Sequence, residues 1–572
     1  MDIDHERLDD LRSGRGPIPE HVIDEYVGGR LSRRDFVRVG AMFGLSLPVI
    51  TGILSASKMP AYAASKHGGS NSASLLSSRV GQAGATINAG ILAPSYAPNP
   101  LINNDPGAIS LLSQVGEMLV YIGPNNVPKP WLATSWSPNA SATVWTFKIR
   151  QGVKFSDGTP MTVDDVVYTF QMLCDPKGTA NSLSLFAGVL VPAGVVKVDA
   201  ETVAFHLEAP YGAFPAATAS NANYNGIIVP NNTNYPTWGK TFIGTGPFMM
   251  KSFNQTTGAS FVKNPAYWGT PALPAAIEMT FFTGEPSMAA ALESGAIDCL
   301  EQFTVSTSPQ LLNGDYNVTV RKSSAMRECS MRNDVSPFTN KYVRQAVALT
   351  LDRPAIVKAL FKGYAAIGND NPFAPSFPES DLKIPQRKQN LKLAKQLLHK
   401  AGLHRGFHAD LYTEQLQEIP QLAQIIKASA AKIGVDITLH ITTDGEYYGQ
   451  GVFGKSNWLD GEMSLVDFLG RAVPDVLLQA PLQSRNAKTG QGSWNAAHFK
   501  NPTYDKLSKE YVATADLSTQ RKLAGKIETL LLDETPIILP YFYDYLAASR
   551  KNVYGVNPEV GDVFYLNNVT KG

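Results

Sequence analysis

The sequence has few cysteines and almost no excess of charge of either sign. Its three cysteines, Cys174, Cys299 and Cys329, are too few for a disulfide framework or a four-cysteine zinc site. The 50 basic and 49 acidic residues leave a net charge of +1. This balance argues against a nucleic-acid partner, because proteins of that class carry a basic excess. A hydrophobic content of 44% excludes a disordered chain, and a single core seldom grows beyond about 300 residues, so we expect at least two lobes.

Several motifs that mark enzymes are also missing. The chain contains no H-E-x-x-H motif, no G-x-S-x-G motif and no C-x-x-C pair. Residues 449–456, GQGVFGKS, match the phosphate-loop pattern, but Asp444-Gly445 breaks the chain before them and Gly461 follows closely. A phosphate loop needs a strand directly before it and a helix directly after it, so a glycine-rich surface loop is the simpler interpretation. We therefore expect no enzymatic activity, no cofactor and no metal site.

The first sixty residues have the order of an export signal. Arg33 and Arg34 lie in the segment S-R-R-D-F-V, which has the form of a twin-arginine signal. An apolar stretch over residues 39–54 follows, shorter and more interrupted than the roughly 20 residues that a membrane span needs. Ala61 and Ala63 then form an A-x-A peptidase site.

This order predicts a signal peptide over residues 1–63 and a flexible linker over residues 64–79. No cysteine precedes Cys174, so we expect no lipid anchor. The mature protein is then expected in the periplasm or another extracytoplasmic compartment, exported by the twin-arginine route. In an oxidising compartment Cys299 and Cys329 either pair or remain as buried thiols.

Apolar periodicity predicts strands alternating with helices, and hence the α/β class. A strand is expected over residues 145–149, and a helix begins after Thr162, with Asp164 and Asp165 favourably placed in its first turn. Further helices are expected over residues 342–351, 355–361, 391–400, 422–433 and 521–532, and further strands over residues 435–441 and 537–545.

A series of motifs follows in a fixed order along residues 80–560. They include LATSW at 132–136, WTFKIRQGVKFSDG at 145–158, GTGPF at 244–248, NPAYWG at 264–269, SGAID at 294–298, LDR at 351–353 and WN at 494–495. This series resembles the extracellular solute-binding proteins of family 5, the peptide-, nickel- and opine-binding components of ABC importers.

The resemblance implies a two-lobed fold of the type II periplasmic binding proteins with an additional inserted subdomain. The first lobe would cover residues 80–325, including the inserted subdomain at about 112–240, and the second lobe residues 326–539. Residues 540–572 would return to the first lobe. A monomer would capture a peptide or similar small polar solute between the lobes and deliver it to the permease subunits. Two alternatives stay open: a secreted hydrolase on the same scaffold, and a ligand-presenting partner of a membrane sensor.

The segment FLGRAVPD at 468–475 departs from the family pattern. Many relatives carry an acidic residue just before the Pro-Asp pair, and in peptide binders an acid in this region holds the ligand's α-amino group. Here alanine and valine stand before that pair. We hypothesise that Arg471 binds a ligand carboxylate or another anion, since a planar guanidinium fits that geometry. The alternative is a structural ion pair of Arg471 with Asp467 or Asp475, although Asp467 is also a candidate for binding the amino group.

Aromatic and amide side chains complete the set of candidate ligand-binding residues. Aromatic residues commonly line concave small-molecule sites, together with a few polar groups that orient the ligand. The additional candidates are Tyr121, Tyr224, Trp494 and Asn495. Each of them is also suited to a structural role in the core.

Overall fold

The computed structural model describes residues 84–572, apart from residues 104, 124–125, 187, 220–222, 224 and 487–491 and the side chains of residues 184 and 444. The expected export signal and linker, residues 1–79, lie outside this part of the chain. None of the helices in the described ranges has both the length and the apolar character that a membrane span requires.

The β-strands pair into two large sheets and several small ones. In chain order they are β1 (Thr86–Leu92), β2 (Val120–Ile122), β3 (Pro128–Pro130), β4 (Ala133–Pro138), β5 (Val144–Ile149), β6 (Val195–Asp199), β7 (Thr202–His206), β8 (Phe248–Asn254), β9 (Gly258–Lys263), β10 (Ala276–Phe282), β11 (Cys299–Phe303), β12 (Tyr316–Arg321), β13 (Met326–Met331), β14 (Ala365–Ile367), β15 (Phe407–Glu414), β16 (Val435–Thr442), β17 (Met463–Phe468), β18 (Ile537–Ile538), β19 (Tyr541–Tyr543), β20 (Tyr545–Arg550), β21 (Val553–Tyr554) and β22 (Thr570–Lys571).

Helices connect the strands and cover the sheets. They are α1 (Pro106–Val115), α2 (Val163–Leu173), α3 (Leu183–Phe186), α4 (Phe214–Ala217), α5 (Glu285–Ser294), α6 (Lys341–Ala348), α7 (Arg353–Phe361), α8 (Leu391–Lys400), α9 (Ile419–Ala431), α10 (Asp444–Tyr448), α11 (Asn457–Asp460), α12 (Asp475–Gln479), α13 (Pro502–Ala513) and α14 (Leu517–Glu534), with short 3₁₀ turns at Pro192–Gly194, Tyr235–Lys240 and Pro309–Leu312.

Sheet A has seven strands in the order β12-β20-β11-β1-β10-β9-β8. β1 runs parallel to β10 and β11, and the other neighbours are antiparallel. Ile87, Ala89 and Ile91 of β1 lie on one face of the strand and are inaccessible to solvent, so this face packs on the core. Asp105 caps α1 by accepting a hydrogen bond from the Ala108 N–H at 3.0 Å. A Cβ atom at Gly107 would lie 2.1 Å from the Leu92 carbonyl oxygen, so the start of α1 lies just beyond the carboxyl end of β1.

Sheet B also has seven strands, in the order β14-β19-β13-β17-β15-β16 with β18 paired to β13. β15 runs parallel to β16 and β17, and the remaining pairs are antiparallel. All six residues of β13 are buried. β17 ends at Phe468 and leads into residues 469–475. Ligands of open α/β sheets bind beyond the carboxyl ends of the strands, so this position favours a site at residues 469–475.

The part of the chain between β1 and β8 contains a smaller sheet, β4-β5-β7-β6, which packs with α2 and α4. Its core is aromatic, and ring centroids are 5.0–6.3 Å apart in the contacts among Phe147, Phe170, Phe205 and Phe214. Contacts of this kind add to the area that the rings bury. These rings belong to the same hydrophobic core as the buried side chains of β1 and α1.

The chain passes between sheet A and sheet B at two neighbouring places. Residues 322–325 join β12 in sheet A to β13 in sheet B, and Asp544 alone separates β19 in sheet B from β20 in sheet A. The Lys322 ammonium lies 2.7 Å from a carboxylate oxygen of Asp544. Both connections are short, so the two sheets are linked through one small region.

The α/β class is confirmed, and several expected elements occur at the expected positions. α8 has the expected bounds, and Thr162 caps α2 through a reciprocal contact with Asp165. The single strand expected over residues 537–545 is wrong. Pro540 lacks an N–H for the sheet ladder, and the segment is divided into β18, β19 and the first residue of β20, which belong to different sheets.

The three cysteines are buried free thiols. Cys299 lies on β11 in sheet A, whereas Cys329 lies on β13 in sheet B. The two are therefore not joined, and burial raises the pKa of each thiol.

Candidate functional site

A cavity lies between two distant segments of the chain. One wall is formed within residues 181–225 and includes Ser182, Asn223 and Asn225, and the opposite wall includes Arg471 and Trp494. The cavity volume is about 60 Å³, which is space for only a few water molecules. A larger solute therefore enters only if the two walls move apart.

Arg471 lies in the loop that follows β17, and its backbone is fixed. The Arg471 N–H donates to the Ser324 hydroxyl at 2.8 Å, and that hydroxyl donates to the Arg471 carbonyl at 2.9 Å. The guanidinium makes only a long hydrogen bond of 3.5 Å to the Gly470 carbonyl. Among the residues that the structure describes, no carboxylate lies within 4.0 Å of it, so Arg471 forms an ion pair with neither Asp467 nor Asp475.

Asp467, the candidate for binding an amino group, already has a cationic partner. It forms an ion pair with Arg327 and accepts a hydrogen bond from the Tyr543 hydroxyl at 3.1 Å. Arg327 is fully buried, lies 4.3 Å from the centroid of the Tyr543 ring, and pairs with Glu418 at 2.9 Å. Burial raises the pKa of Asp467, and Arg327 opposes that rise. Arg327 is therefore shared by Asp467 and Glu418, and the Asp467 carboxylate is held in place by contacts within sheet B.

Asp475 begins α12 and is buried, with 1% of its surface exposed. Burial raises the pKa of Asp475 well above its usual value, and the nearby Glu379 raises it further. Tyr211, whose side chain lines the cavity, is also a close neighbour of Asp475. Asp475 thus belongs to the layer behind the cavity wall.

Of the remaining candidates on this wall, Trp494 lines the cavity and Asn495 does not. The Trp494 ring stacks on Phe468, with centroids 6.0 Å apart. Asn495 donates to the carbonyls of Gln483 and Phe499 at 2.9 and 2.8 Å and accepts the Phe499 N–H at 3.0 Å. Its amide is used to hold its own loop.

Tyr121 lies at a different cavity, and Tyr224 lies outside the described residues. The second cavity has a volume of about 340 Å³ and is lined by Tyr121, Trp131, Tyr267 and Lys129 among others. The Tyr121 hydroxyl donates to Glu559 at 3.0 Å. The structure therefore brings Arg471 and Trp494 together and places Tyr121 apart from them.

The phosphate-loop pattern at residues 449–456 forms a surface turn. A helix, α10, precedes it, and the helix that follows, α11, has only four residues. The Gly454 N–H donates to both carboxylate oxygens of Asp460, at 2.9 and 2.8 Å. A donor that a phosphate would use is thus bound to a side chain of the same loop, which supports the interpretation as a surface loop.

Comparison with protein families gives one match that covers more than half of the chain. The family described as bacterial extracellular solute-binding proteins, family 5 Middle, matches residues 127–485. The match includes Arg471 and the cavity wall formed within residues 181–225.

Curated relatives are similar over most of their length. The dipeptide-binding protein DppE of Bacillus subtilis is 26% identical over 483 residues, which cover 78% of this chain and 84% of the relative. The oligopeptide-binding protein OppA of the same organism is 24% identical over 519 residues, which cover 84% of this chain and 92% of the relative.

Solved structures show the same fold, that of the type II periplasmic binding proteins. The ABC transporter substrate binding protein CtaP from Listeria monocytogenes gives a TM-score of 0.74 at 19% identity, covering 86% of this chain and 100% of that one. The periplasmic binding protein DppA from Helicobacter pylori, in complex with a peptide, gives a TM-score of 0.68 at 21% identity, covering 87% and 99%.

Proposed function

The chain belongs to the bacterial extracellular solute-binding proteins of family 5, and we propose that it captures a peptide or a similar small polar solute for an ABC importer. The family consists of binding proteins rather than enzymes, and the two curated relatives above bind dipeptides and oligopeptides. The observation that carries the proposal is Arg471, which lines a cavity between two distant segments and has no ion-pair partner among the described residues. Such a cation suits an anionic group of a solute.

Two lobes built on sheet A and sheet B would open and close around this cavity. We assign residues 80–325 to the first lobe with its inserted subdomain, residues 326–539 to the second, and residues 540–572 to the return. Residues 322–325 and Asp544 would act as the hinge, because both sheet-to-sheet connections lie there. Hinge closure around a ligand is a common mode of domain motion. The closed monomer would then deliver its solute to the membrane permease subunits.

Within the cavity, Arg471 would bind the carboxylate or another anion of the solute. A guanidinium presents paired N–H donors that match a carboxylate. Trp494 would supply an apolar contact for the rest of the solute, supported from behind by Phe468. Ser182, Asn223 and Asn225 line the opposite wall, but the Ser182 hydroxyl donates to Asn223 and both amide NH₂ groups donate to backbone carbonyls. These residues would therefore shape the wall, with the Asn225 amide oxygen as a neutral acceptor for the solute.

The protein would act outside the inner membrane. Arg33 and Arg34 would direct export by the twin-arginine route, and cleavage after Ala63 would release the mature chain. Measuring the mass of the protein purified from its own host tests this part. Loss of residues 1–63 supports it, whereas an intact N-terminus contradicts it.

Thermal unfolding with a peptide mixture tests the binding function. A pool of lysine-free peptides of two to five residues should stabilise the wild type by about 2.7 kcal/mol at a hundredfold excess over Kd. Arg471→Gln should remove most of this stabilisation. Arg405→Gln is the matched control, since Arg405 is an exposed arginine between α8 and β15, and it should respond like the wild type. An equal response of all three proteins would contradict the role of Arg471.

A further inference from the structure

The C-terminal segment packs directly on the loop that carries Arg471. A Cβ atom at Gly470 would lie 2.5 Å from Cγ1 of Val560 and 3.6 Å from Cε2 of Tyr545. The first distance is shorter than any normal contact, so a larger residue at position 470 would force Val560 and the C-terminal segment to shift. The same packing places Asp562, two residues after Val560, close to Arg471.

Asp562 has an uncommon backbone conformation and an unused carboxylate. Its φ is +61°, in the left-handed region that few residues other than glycine, asparagine and aspartate adopt. The Ser110 hydroxyl donates to the Asp562 carbonyl at 3.2 Å, which ties this turn to α1. In the described ranges the Asp562 carboxylate takes part in no hydrogen bond and no ion pair.

The charged groups around Asp562 come from two parts of the molecule. Asp467 and Arg471 approach it from sheet B and its following loop, and Asp105 approaches it from the start of α1. Burial raises the pKa of Asp562 to about 7, Asp467 raises it further, and Arg471 lowers it. The Asp467 carboxylate is already bound by Arg327 and by the Tyr543 hydroxyl, whereas the Asp562 carboxylate has no partner in the described part of the chain.

Tyr545 provides a second, independent indication at the same place. Its side chain is 1% exposed, and its hydroxyl lies near the Gly470 N–H but makes no hydrogen bond of 3.5 Å or less among the described residues. Its charged neighbours are again Asp562, Asp467 and Arg471. Oδ2 of Asp105 is likewise buried without a partner. Buried polar groups normally have partners, so two unpartnered groups that both lie near Asp562 indicate a place where a ligand supplies the missing contacts.

We propose that Asp562 binds a positively charged nitrogen of the solute while Arg471 binds its anionic group. The inference rests on the proposed function and narrows it to solutes that carry both charges, such as amino acids and short peptides with a free amino group. The carboxylate that binds the amino group of the solute then belongs to the C-terminal segment, not to the loop that carries Arg471. The competing explanation is a direct Asp562–Arg471 ion pair that holds the walls together without contacting the solute.

Two peptide pools of identical composition test this inference by native mass spectrometry. Both contain lysine-free peptides of two to five residues, but in one pool the N-terminal amines are acetylated. The wild type should retain the free-amine pool at least tenfold better than the acetylated pool. Asp562→Asn keeps the shape and tolerates the same backbone conformation, and it should reduce this preference to within twofold. Asp436→Asn, which changes an exposed acid on β16, is the control and should keep the full preference.

The outcomes separate the inference from its alternatives. If Asp562→Asn retains both pools less well by the same factor, the direct ion pair is indicated and the inference is overturned. An unchanged tenfold preference for the free-amine pool would also overturn the inference. A wild type that binds both pools equally would overturn it and leave the proposed function standing. A wild type that binds neither pool would overturn the proposed function itself. If Asp562→Asn does not fold, Tyr545→Phe replaces it in the comparison, with a reduced preference expected and an unchanged preference contradicting the inference.

Discussion

Arg327 of β13 and Asp467 of β17 lie opposite each other in sheet B and form an ion pair whose arginine is fully buried. Glu418 and the Tyr543 ring complete the surroundings of the guanidinium. Asp467, the acid that precedes Arg471 in the sequence, therefore has a structural role in sheet B. Within the part of the chain that the structure describes, Arg471 is therefore left in the cavity without an ion-pair partner.

Removing Arg327 should strongly destabilise the protein. Arg327→Met would leave Asp467 and Glu418 buried without a cation, and breaking a buried pair in this way costs about 3–5 kcal/mol. Urea unfolding would measure the difference in the free energy of unfolding. Lys341→Met is the control, because Lys341 and Asp533 form a pair of 2.7 Å with both side chains partly exposed, and its loss should cost less than about 1 kcal/mol. Similar costs for the two variants would contradict the structural role of Arg327.

Glu328 should make stability decrease as pH rises. Burial raises the pKa of Glu328 from 4.5 to about 8, and only the Ser330 hydroxyl donates to it in the described part of the chain. A raised pKa means that the folded state favours the protonated acid. The contribution of Glu328 is therefore complete below about pH 4.5 and is lost as pH rises towards 8 and above.

The free energy of unfolding of the wild type and of Glu328→Gln, measured between pH 5 and pH 9, tests this sign. The variant should show a shallower decrease because the amide does not titrate. Burial also raises the pKa values of Glu117, Glu301, Glu379 and Glu528 to about 7 or 8. These acids titrate in both proteins, so the difference between the two slopes isolates Glu328. An identical slope in the two proteins would show that Glu328 does not titrate as the burial implies.

Gly470→Ala should displace the C-terminal segment. The added methyl group would meet Cγ1 of Val560 at 2.5 Å, and such overpacking costs about 1–3 kcal/mol. The melting temperature should fall, and retention of the peptide pool should drop at least tenfold because Asp562 moves with the segment. The double variant Gly470→Ala, Val560→Ala lacks the obstructing methyl groups and should recover part of the melting temperature and part of the peptide retention. Failure of the double variant to recover either quantity would contradict this contact as the cause.

Mg²⁺ and ATP should not stabilise the protein. The Gly454 N–H is already bound to Asp460, and the helix that a phosphate loop needs is only four residues long. The melting temperature should stay within about 1 °C with and without the nucleotide, while the peptide pool raises it. A rise with nucleotide that Lys455→Ala abolishes would restore the phosphate-loop interpretation.

Local patterns in the sequence were sufficient for much of the fold. The cap at Thr162 and the bounds of α8 depend on residues a few positions apart, and both are found as expected. The division of residues 537–545 between two sheets was not predictable, because an apolar, aromatic run gives no sign of which sheet its residues join. Only Pro540 within that run indicated an interruption.

The candidate site was predictable only in part. Arg471 and Trp494, two of the predicted candidates, line one cavity, and Trp494 stacks on Phe468 at the end of β17; their role in binding stays a prediction. The partner of Asp467, however, is 140 residues away in sequence, and a lone arginine in a buried strand carries no local sign of its partner. Asp562 follows Gly561 in what reads as an ordinary turn, so its place beside Arg471 depends entirely on tertiary packing.

The most direct test of the account is the mass of the solute that the protein carries. Protein purified from its host would be analysed by native mass spectrometry, and its bound solute would then be released by denaturation and weighed. A non-covalent solute of peptide-like mass, released unaltered, retained by Arg405→Gln and lost from Arg471→Gln, is the expected result. A covalent adduct, a cleaved product, or equal retention by both variants would contradict the account.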